Sequence, residues 1–278
     1  MRLNCLHTSM PQPIPHPANP DDPVEQFRAL VEIVRILRRE CPWDREQTHA
    51  SIAPLLIEEA YETVESIRNG DSDGLCRELG DLLLHVLMHS VIAEEHGEFH
   101  LQTVIEHERS KLIHRHPHVF GSSSAQSARE VKNRWEQLKL REGRQSLLEG
   151  IPKSLPALLR AQRLQERAAS VGFDWEQPQG AWQKLQEEFA ELQNALRSGD
   201  RRRIAEELGD LLFAIVNAAR FEQLSAEECL QMANDKFTRR FRYIEQRAQQ
   251  QSIPLHELSL QQMDALWEEA KQQEASEQ

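Results

Sequence analysis

The chain has 278 residues, with 45 acidic against 33 basic side chains and a formal net charge of −12 at pH 7, enough for one large domain or two of ordinary size. That charge argues against a nucleic-acid polymer as partner, since tracking a phosphate backbone needs a basic stripe, and no run approaches the roughly 18 apolar residues of a membrane span. Its four cysteines, Cys5, Cys41, Cys76 and Cys229, form no CxxC, so neither a disulfide framework nor a zinc ribbon is indicated and a cytoplasmic location is expected.

Residues 1–23 contain six prolines and little apolar periodicity, which predicts a disordered extension. They contain no apolar core of a secretory signal. From Val24 the positions Phe27, Leu30, Val31, Val34 and Leu37 follow helical spacing, and Cys41-Pro42-Trp43-Asp44 ends that helix because proline cannot continue the hydrogen-bond ladder. Helices are predicted over Pro54–Ile67 and Leu75–Glu95, the second with a wide apolar stripe from Leu79 to Ile92. Gly80 inside it costs about 1 kcal/mol relative to alanine, and a glycine recurs in the matching motif at Gly209, which predicts close approach of another helix or a ligand. Leu101–Arg115 is a further helix. It leads into His114, His116 and His118, whose alternation suits a strand and is broken by Pro117, so no zinc site is expected there. A helix over Arg129–Arg141 carries Trp135, and Gly143, Gly150, Pro152 and Pro156 then punctuate a linker.

The second half repeats the plan. A polar helix over Ala157–Ser170 precedes Asp174, Glu176 and Gln177, which match Asp44, Glu46 and Gln47 at an offset of 130. Helices follow over Trp182–Arg197, Arg201–Leu224 and Ala226–Gln249, and the final stretch pairs Trp267 with Trp135 and Lys271 with Lys139 at an offset of 132. No strand signal appears. The expected fold is all-α with two tandem helical repeats: extension 1–23, N-terminal repeat 24–142, linker 143–160 and C-terminal repeat 161–278.

Within the second repeat, Glu188 and Glu191 lie three apart on one helix, and Glu207 and Asp210 three apart on the next. Residues three apart share a helical face. The turn Ser198-Gly199-Asp200 makes the two helices antiparallel neighbours, so four carboxylates converge. Such a cluster repels itself without a cation, and hard oxygen donors favour Mg2+ or Mn2+ over zinc. A single ExxE is ordinarily a solvated face. Here Glu59, Glu62, Glu78 and Asp81 repeat the pattern, each 129 positions before its counterpart, and a solvated face needs no such fixed geometry. Lys184 and Arg203 lie four residues before Glu188 and Glu207 on the same faces, Lys236 and Arg240 share a face of a third helix, and Trp267 with Lys271 is placed to close the site. Cations around a carboxylate cup suit a phosphorylated substrate. In the first repeat the positions matching Lys184 and Arg203 (184 − 129 and 203 − 129) are Leu55 and Gly74, while Lys111 and Arg115 remain, so the halves are expected to be unequal.

EExxE followed by ELGD, present twice, with CPWD, HRHPHVF, SLPALLRAQ, VGFDW and KFTRRF in order from about residue 24 to 271, resembles the MazG nucleoside triphosphate pyrophosphohydrolases. The resemblance implies magnesium-dependent hydrolysis of nucleoside triphosphates, deoxy forms included, to the monophosphate and pyrophosphate, in a homodimer of helical bundles. It implies Glu188, Glu191, Glu207 and Asp210 as metal ligands, with Glu59, Glu62, Glu78 and Asp81 as a second candidate set. It places the nucleotide near Lys184, Glu187, Glu188, Arg203, Glu206, Asp210, Lys236, Arg240, Trp267 and Lys271, with Glu187 or Glu206 orienting the water that attacks the α-phosphorus. Arg203 stands where the family pattern has lysine; it keeps the charge but is a different donor. The competing readings are a non-catalytic helical interaction or regulatory protein that retains a carboxylate metal site, and a di-iron carboxylate protein. The latter needs Glu-x-x-His on each of two helices, and only Glu46-x-x-His49, in a stretch expected to be non-helical, is present.

Overall fold

The computed structural model describes residues 12–121, 131 and 146–276, so the helix expected over Arg129–Arg141, apart from Val131, lies outside the described residues, as do Lys139 and Gly143. The chain divides into two compact units, residues 1–124 and 125–278. Every regular element among the described residues is helical, and none of these helices is long and apolar enough to cross a membrane.

In the first unit, residues 12–22 carry no helix or strand. Helix α1 (Pro23–Glu40) starts where the Asp22 side chain accepts from the Val24 N–H and Pro23 occupies the first turn, where its missing donor costs nothing. Pro42 stops α1 as predicted and then opens a short α2 (Pro42–Glu46), so Glu46 and His49 flank a break between helices. Helix α3 (His49–Asn69) begins five residues before the predicted Pro54. Thr48 and Ser51 form a reciprocal capping box, and Pro54 is accommodated within the helix; two satisfied orphan donors outweigh the one bond that proline omits. Helix α4 (Ser72–Glu95) runs back along α3, and α5 (Leu101–Arg115) and α6 (Pro117–Phe120) follow. Pro117 interrupts the histidine run as expected but begins a helical turn rather than a strand. The core joins Val31 and Val34 of α1, Ile52 of α3, and Leu87, Met88, Val91 and Ile92 of α4. Arg38, 6% exposed, is satisfied by bidentate bonds to Glu95 at 3.1 and 2.5 Å and by the carbonyls of Asp44 and Gln47.

The second unit contains α7 (Ala157–Ala169), α8 (Pro178–Ser198), α9 (Arg201–Phe221), α10 (Ala226–Gln250), a 3-10 turn (Leu255–Glu257) and α11 (Leu260–Ser276). The α8–α9 hairpin reproduces α3–α4. Gly199 (φ 72°) and Gly70 (φ 65°) end the first helix of each pair in the left-handed region that glycine adopts without strain. Asp200 and Asp71 then cap the second helix, accepting from Arg202 and Arg203 in one unit and from Gly74 in the other. Ile244, Ala248, Leu258 and Leu266 form a core between α10 and α11. The close neighbour expected at Gly80 and Gly209 is not found. Among the described residues nothing lies within 4 Å of a Cβ built at either position, so no described helix presses on them.

Candidate functional site

The hairpin turn sets the site. Because α8 and α9 are antiparallel and joined by two residues, the carboxylates near the end of one helix face those near the start of the next. One carboxylate oxygen from each of Glu188, Glu207 and Asp210 lies within 4.8 Å of the others, and Glu59, Glu78 and Asp81 form the same triad in the first unit. Glu191 and Glu62 stand outside these groups of three, although Glu62 is near enough to act on Glu59 and Glu191 on Lys184.

The two triads differ electrostatically. In the second unit Lys184 Nζ sits 2.6 Å from Glu188 Oε1 and 3.6 Å from Glu187, and Arg203 Nε lies 3.5 Å from Glu207 Oε1. The hydrogen bond to Glu188, then the charges of Glu188, Glu187 and Glu191, hold the Lys184 ammonium above the usual lysine value despite its partial burial. Glu188 is 7% exposed, and a carboxylate so placed is costly unless paired. In the first unit Leu55 and Gly74 occupy the corresponding positions. There burial and then the charges of Asp81, Glu62, Glu78 and Glu58 push the Glu59 carboxyl above its ordinary range.

Glu187 and Glu206, the residues expected to orient water, have side chains 63% and 60% exposed, and Glu206 accepts from Arg202 Nε at 3.1 Å. Arg202 was not among the expected residues. Arg240 and Trp267 form a second group on α10 and α11: the guanidinium lies 5.5 Å from the Trp267 ring centroid and bonds Glu274 at 2.8 and 2.9 Å. Phe237 packs against the same ring in a tilted arrangement, with centroids 5.3 Å apart. Lys271 pairs with Glu268 at 2.8 Å, and Lys236 is exposed on α10. None of Lys236, Arg240, Trp267 and Lys271 lines the cavity that adjoins the carboxylates.

That cavity has a volume of about 390 Å³ and is walled by Lys184, Glu188 and Asp210 together with Gln165, Trp175, Phe213, Ala214 and Asn217. Sequence reasoning missed its inner wall. The one signal was a polar helix, α7, whose Gln165 is buried. A second feature it missed lies in the first unit, where His49 Nδ1 and His89 Nδ1 are 2.7 Å apart with stacked rings, next to His85. Burial lowers the pKa values of His85 and His89, and at His89 the charges of His49 and His85 add to the effect.

The comparisons agree with the repeated hairpins. The MazG nucleotide pyrophosphohydrolase domain matches residues 47–120 and again 176–244, covering both carboxylate hairpins. The chain is 42% identical over 257 residues to the nucleoside triphosphate pyrophosphohydrolase of Escherichia coli K12, covering 90% of this chain and 98% of that protein. It is 43% identical over 250 residues to the nucleoside triphosphate pyrophosphohydrolase/pyrophosphatase MazG of Thermotoga maritima, covering 88% and 95%. A further relative, the uncharacterized protein YabN of Bacillus subtilis, is 44% identical over 255 residues, which are 90% of this chain and 52% of that protein. With both hairpins matched and nearly the full length of two such relatives spanned, the chain belongs to the MazG nucleotide pyrophosphohydrolase family.

Proposed function

We propose that the chain hydrolyses nucleoside triphosphates, ribo and deoxy, to the monophosphate and pyrophosphate with magnesium, and that the second unit carries the reaction. The observation that supports this reading is the triad of Glu188, Glu207 and Asp210 bordered by Lys184 and Arg203 in a chain whose relatives are nucleoside triphosphate pyrophosphohydrolases. The donor set fits a hard divalent cation: it is all carboxylate oxygen, gathered within 4.8 Å, with no His or Cys in the group. Glu188, Glu191, Glu207 and Asp210 would hold Mg2+, with Mn2+ as substitute. When bound, the ion supplies charge neutralisation along the phosphate chain and a lowered pKa for water beside it.

The protein's own groups account for the rest. Lys184, kept charged by Glu188, and Arg203 offset the phosphate charge, and Lys236, Arg240, Trp267 and Lys271 complete the nucleotide contacts. Glu187 or Glu206 orients the attacking water as hydrogen-bond acceptor. The new bond joins water oxygen to the α-phosphorus, the bond from that phosphorus to the bridging oxygen breaks, and pyrophosphate leaves. The repeats are assigned to residues 24–142 and 161–278, after an extension over 1–23 and joined by a linker over 143–160. The enzyme acts in the cytoplasm as a homodimer, with no nucleic-acid polymer or membrane as partner. Dimerisation is supported by Phe189, Leu196, Leu208 and Leu212, large apolar side chains of α8 and α9 that are 46–56% exposed. The test is chromatography of the products formed from ATP and magnesium. AMP with pyrophosphate is expected; ADP with orthophosphate would overturn the assignment.

A further inference from the structure

The cavity beside Glu188 and Asp210 takes part of its wall from the segment between α7 and α8, through Asp174 and Trp175. Connecting segments are ordinarily the mobile parts of a fold, yet this one is tied at three points. Arg220 of α9 donates to the Asp174 carboxylate at 2.5 and 2.9 Å, the two side chains being 15% and 24% exposed, and it is aimed by two further bonds to Asn217 Oδ1 at 2.7 and 3.0 Å. A bidentate ion pair of this kind fixes direction as well as distance. The Trp175 N–H donates to Asp174 Oδ1 at 3.0 Å. Its indole then lies over Gly180 near the start of α8, where a Cβ would overlap the ring. Glycine is a poor helix former, and the ring that it admits accounts for its presence there.

We infer that Trp175 is a further substrate-contacting residue, a flat wall on which the base of the nucleotide stacks whatever its identity, and that Arg220 and Gly180 are the positioning residues that hold it there. The inference rests on the proposed hydrolysis. Asp210 and Asn217 both line the cavity and lie seven residues apart on α9, so at about 1.5 Å per residue it extends about 10 Å from the carboxylates, in the direction that leads away from bound phosphates. An indole discriminates little among bases, because each presents a π-face. Holding the ring in place beforehand spares the substrate the cost of ordering a loop. The first unit keeps the aspartate as Asp44, but the positions matching Trp175 and Arg220 (175 − 130 and 220 − 129) are Arg45 and Val91, which supply neither the ring nor the donor that would hold its loop. The aromatic wall therefore belongs to the second unit.

The experiment measures kcat and KM of the full chain for pyrophosphate release from ATP, GTP, CTP and UTP with magnesium. Trp175→Ala is expected to raise KM at least about fivefold for all four, with kcat within about twofold, the size of effect that a lost stacking surface gives. Trp175→Phe, which keeps a ring, should restore most of the affinity. Gly180→Ala and Arg220→Met should raise KM in the same way, and combining either with Trp175→Ala should add nothing, since both act through the indole. An unchanged KM in Trp175→Ala, or a loss confined to kcat, would overturn the stacking role and leave the hydrolysis reading standing. Additive losses in the double variants would overturn the positioning role. Release of pyrophosphate from none of the four by the wild type would overturn the hydrolysis reading and the inference with it.

Discussion

Replacing Glu188 by alanine should abolish hydrolysis, whereas Glu59→Ala should leave it nearly intact, although the two residues occupy equivalent corners of equivalent triads. The difference follows from what surrounds each corner. A triphosphate in the second unit meets Lys184 and Arg203; in the first it meets Leu55 and Gly74. A charge-assisted hydrogen bond contributes about 1.5 to 3 kcal/mol. The Lys184 and Arg203 side chains are 42% and 53% exposed, so solvent screening favours the lower end. Two such contacts then amount to about 3 kcal/mol, or roughly a hundredfold in affinity. Where Ala181, Ala214 and Asn217 line the cavity of the second unit, the first has the larger Ile52, His85 and Met88 129 positions earlier, which adds a steric term in the same direction. The assay is pyrophosphate release from ATP with magnesium, with kcat/KM compared among wild type, Glu59→Ala and Glu188→Ala in the full chain. We expect a loss of at least about a hundredfold for Glu188→Ala and less than about twofold for Glu59→Ala. Equal losses, or a larger loss from Glu59→Ala, would refute the argument from cations and space.

The all-oxygen triads predict that EDTA stops turnover and that Mg2+ or Mn2+ restores it while Zn2+ does not; full activity in excess chelator would contradict this. Asp210→Ala should lose activity with an unchanged helical circular-dichroism spectrum, because removing one charge from a repulsive cluster does not threaten the fold; loss of helicity would count against the triad's proposed role. Since burial and then neighbouring carboxylates raise the folded-state pKa of Glu59, the folded protein binds that proton more tightly than the unfolded chain. The group thus favours folding below its unfolded pKa and loses that advantage as pH rises through the raised value. Glu59→Gln should accordingly raise the Tm of metal-free protein at pH 7, with a gap that shrinks as the pH is lowered into the ordinary carboxylate range; a gap that widens towards acid would reverse the sign of the argument. Placing a charge on the exposed apolar face of α9, as in Leu212→Glu, should shift the light-scattering mass from dimer to monomer, and an unchanged dimer would remove that face from the interface.

The helices were legible because their signals are local. Apolar spacing, the glycines at residues 70 and 199, and the Asp71 and Asp200 caps lie within a few residues of what they control. Misplaced starts had local causes too, as where the Thr48–Ser51 capping box carries α3 through Pro54. Convergence of Glu188, Glu207 and Asp210 was also readable, since i, i+3 spacing and a two-residue turn leave an antiparallel hairpin little freedom.

By itself, then, the sequence determined the two hairpins, the carboxylates they bring together and the uneven supply of cations around them, all consequences of spacing along one or two adjacent helices. Tertiary structure alone decided which three of each four carboxylates draw close, because the rotamer each side chain adopts depends on its surroundings as well as on its place along the helix. It alone set the Gln165 amide against the carbonyl of Phe213, 48 residues away, and opened a cavity beside Glu188 and Asp210. Those features arise where α7 packs on α9, and the packing of helices distant in sequence follows from the volumes of all the side chains between them, which no periodicity along the chain encodes.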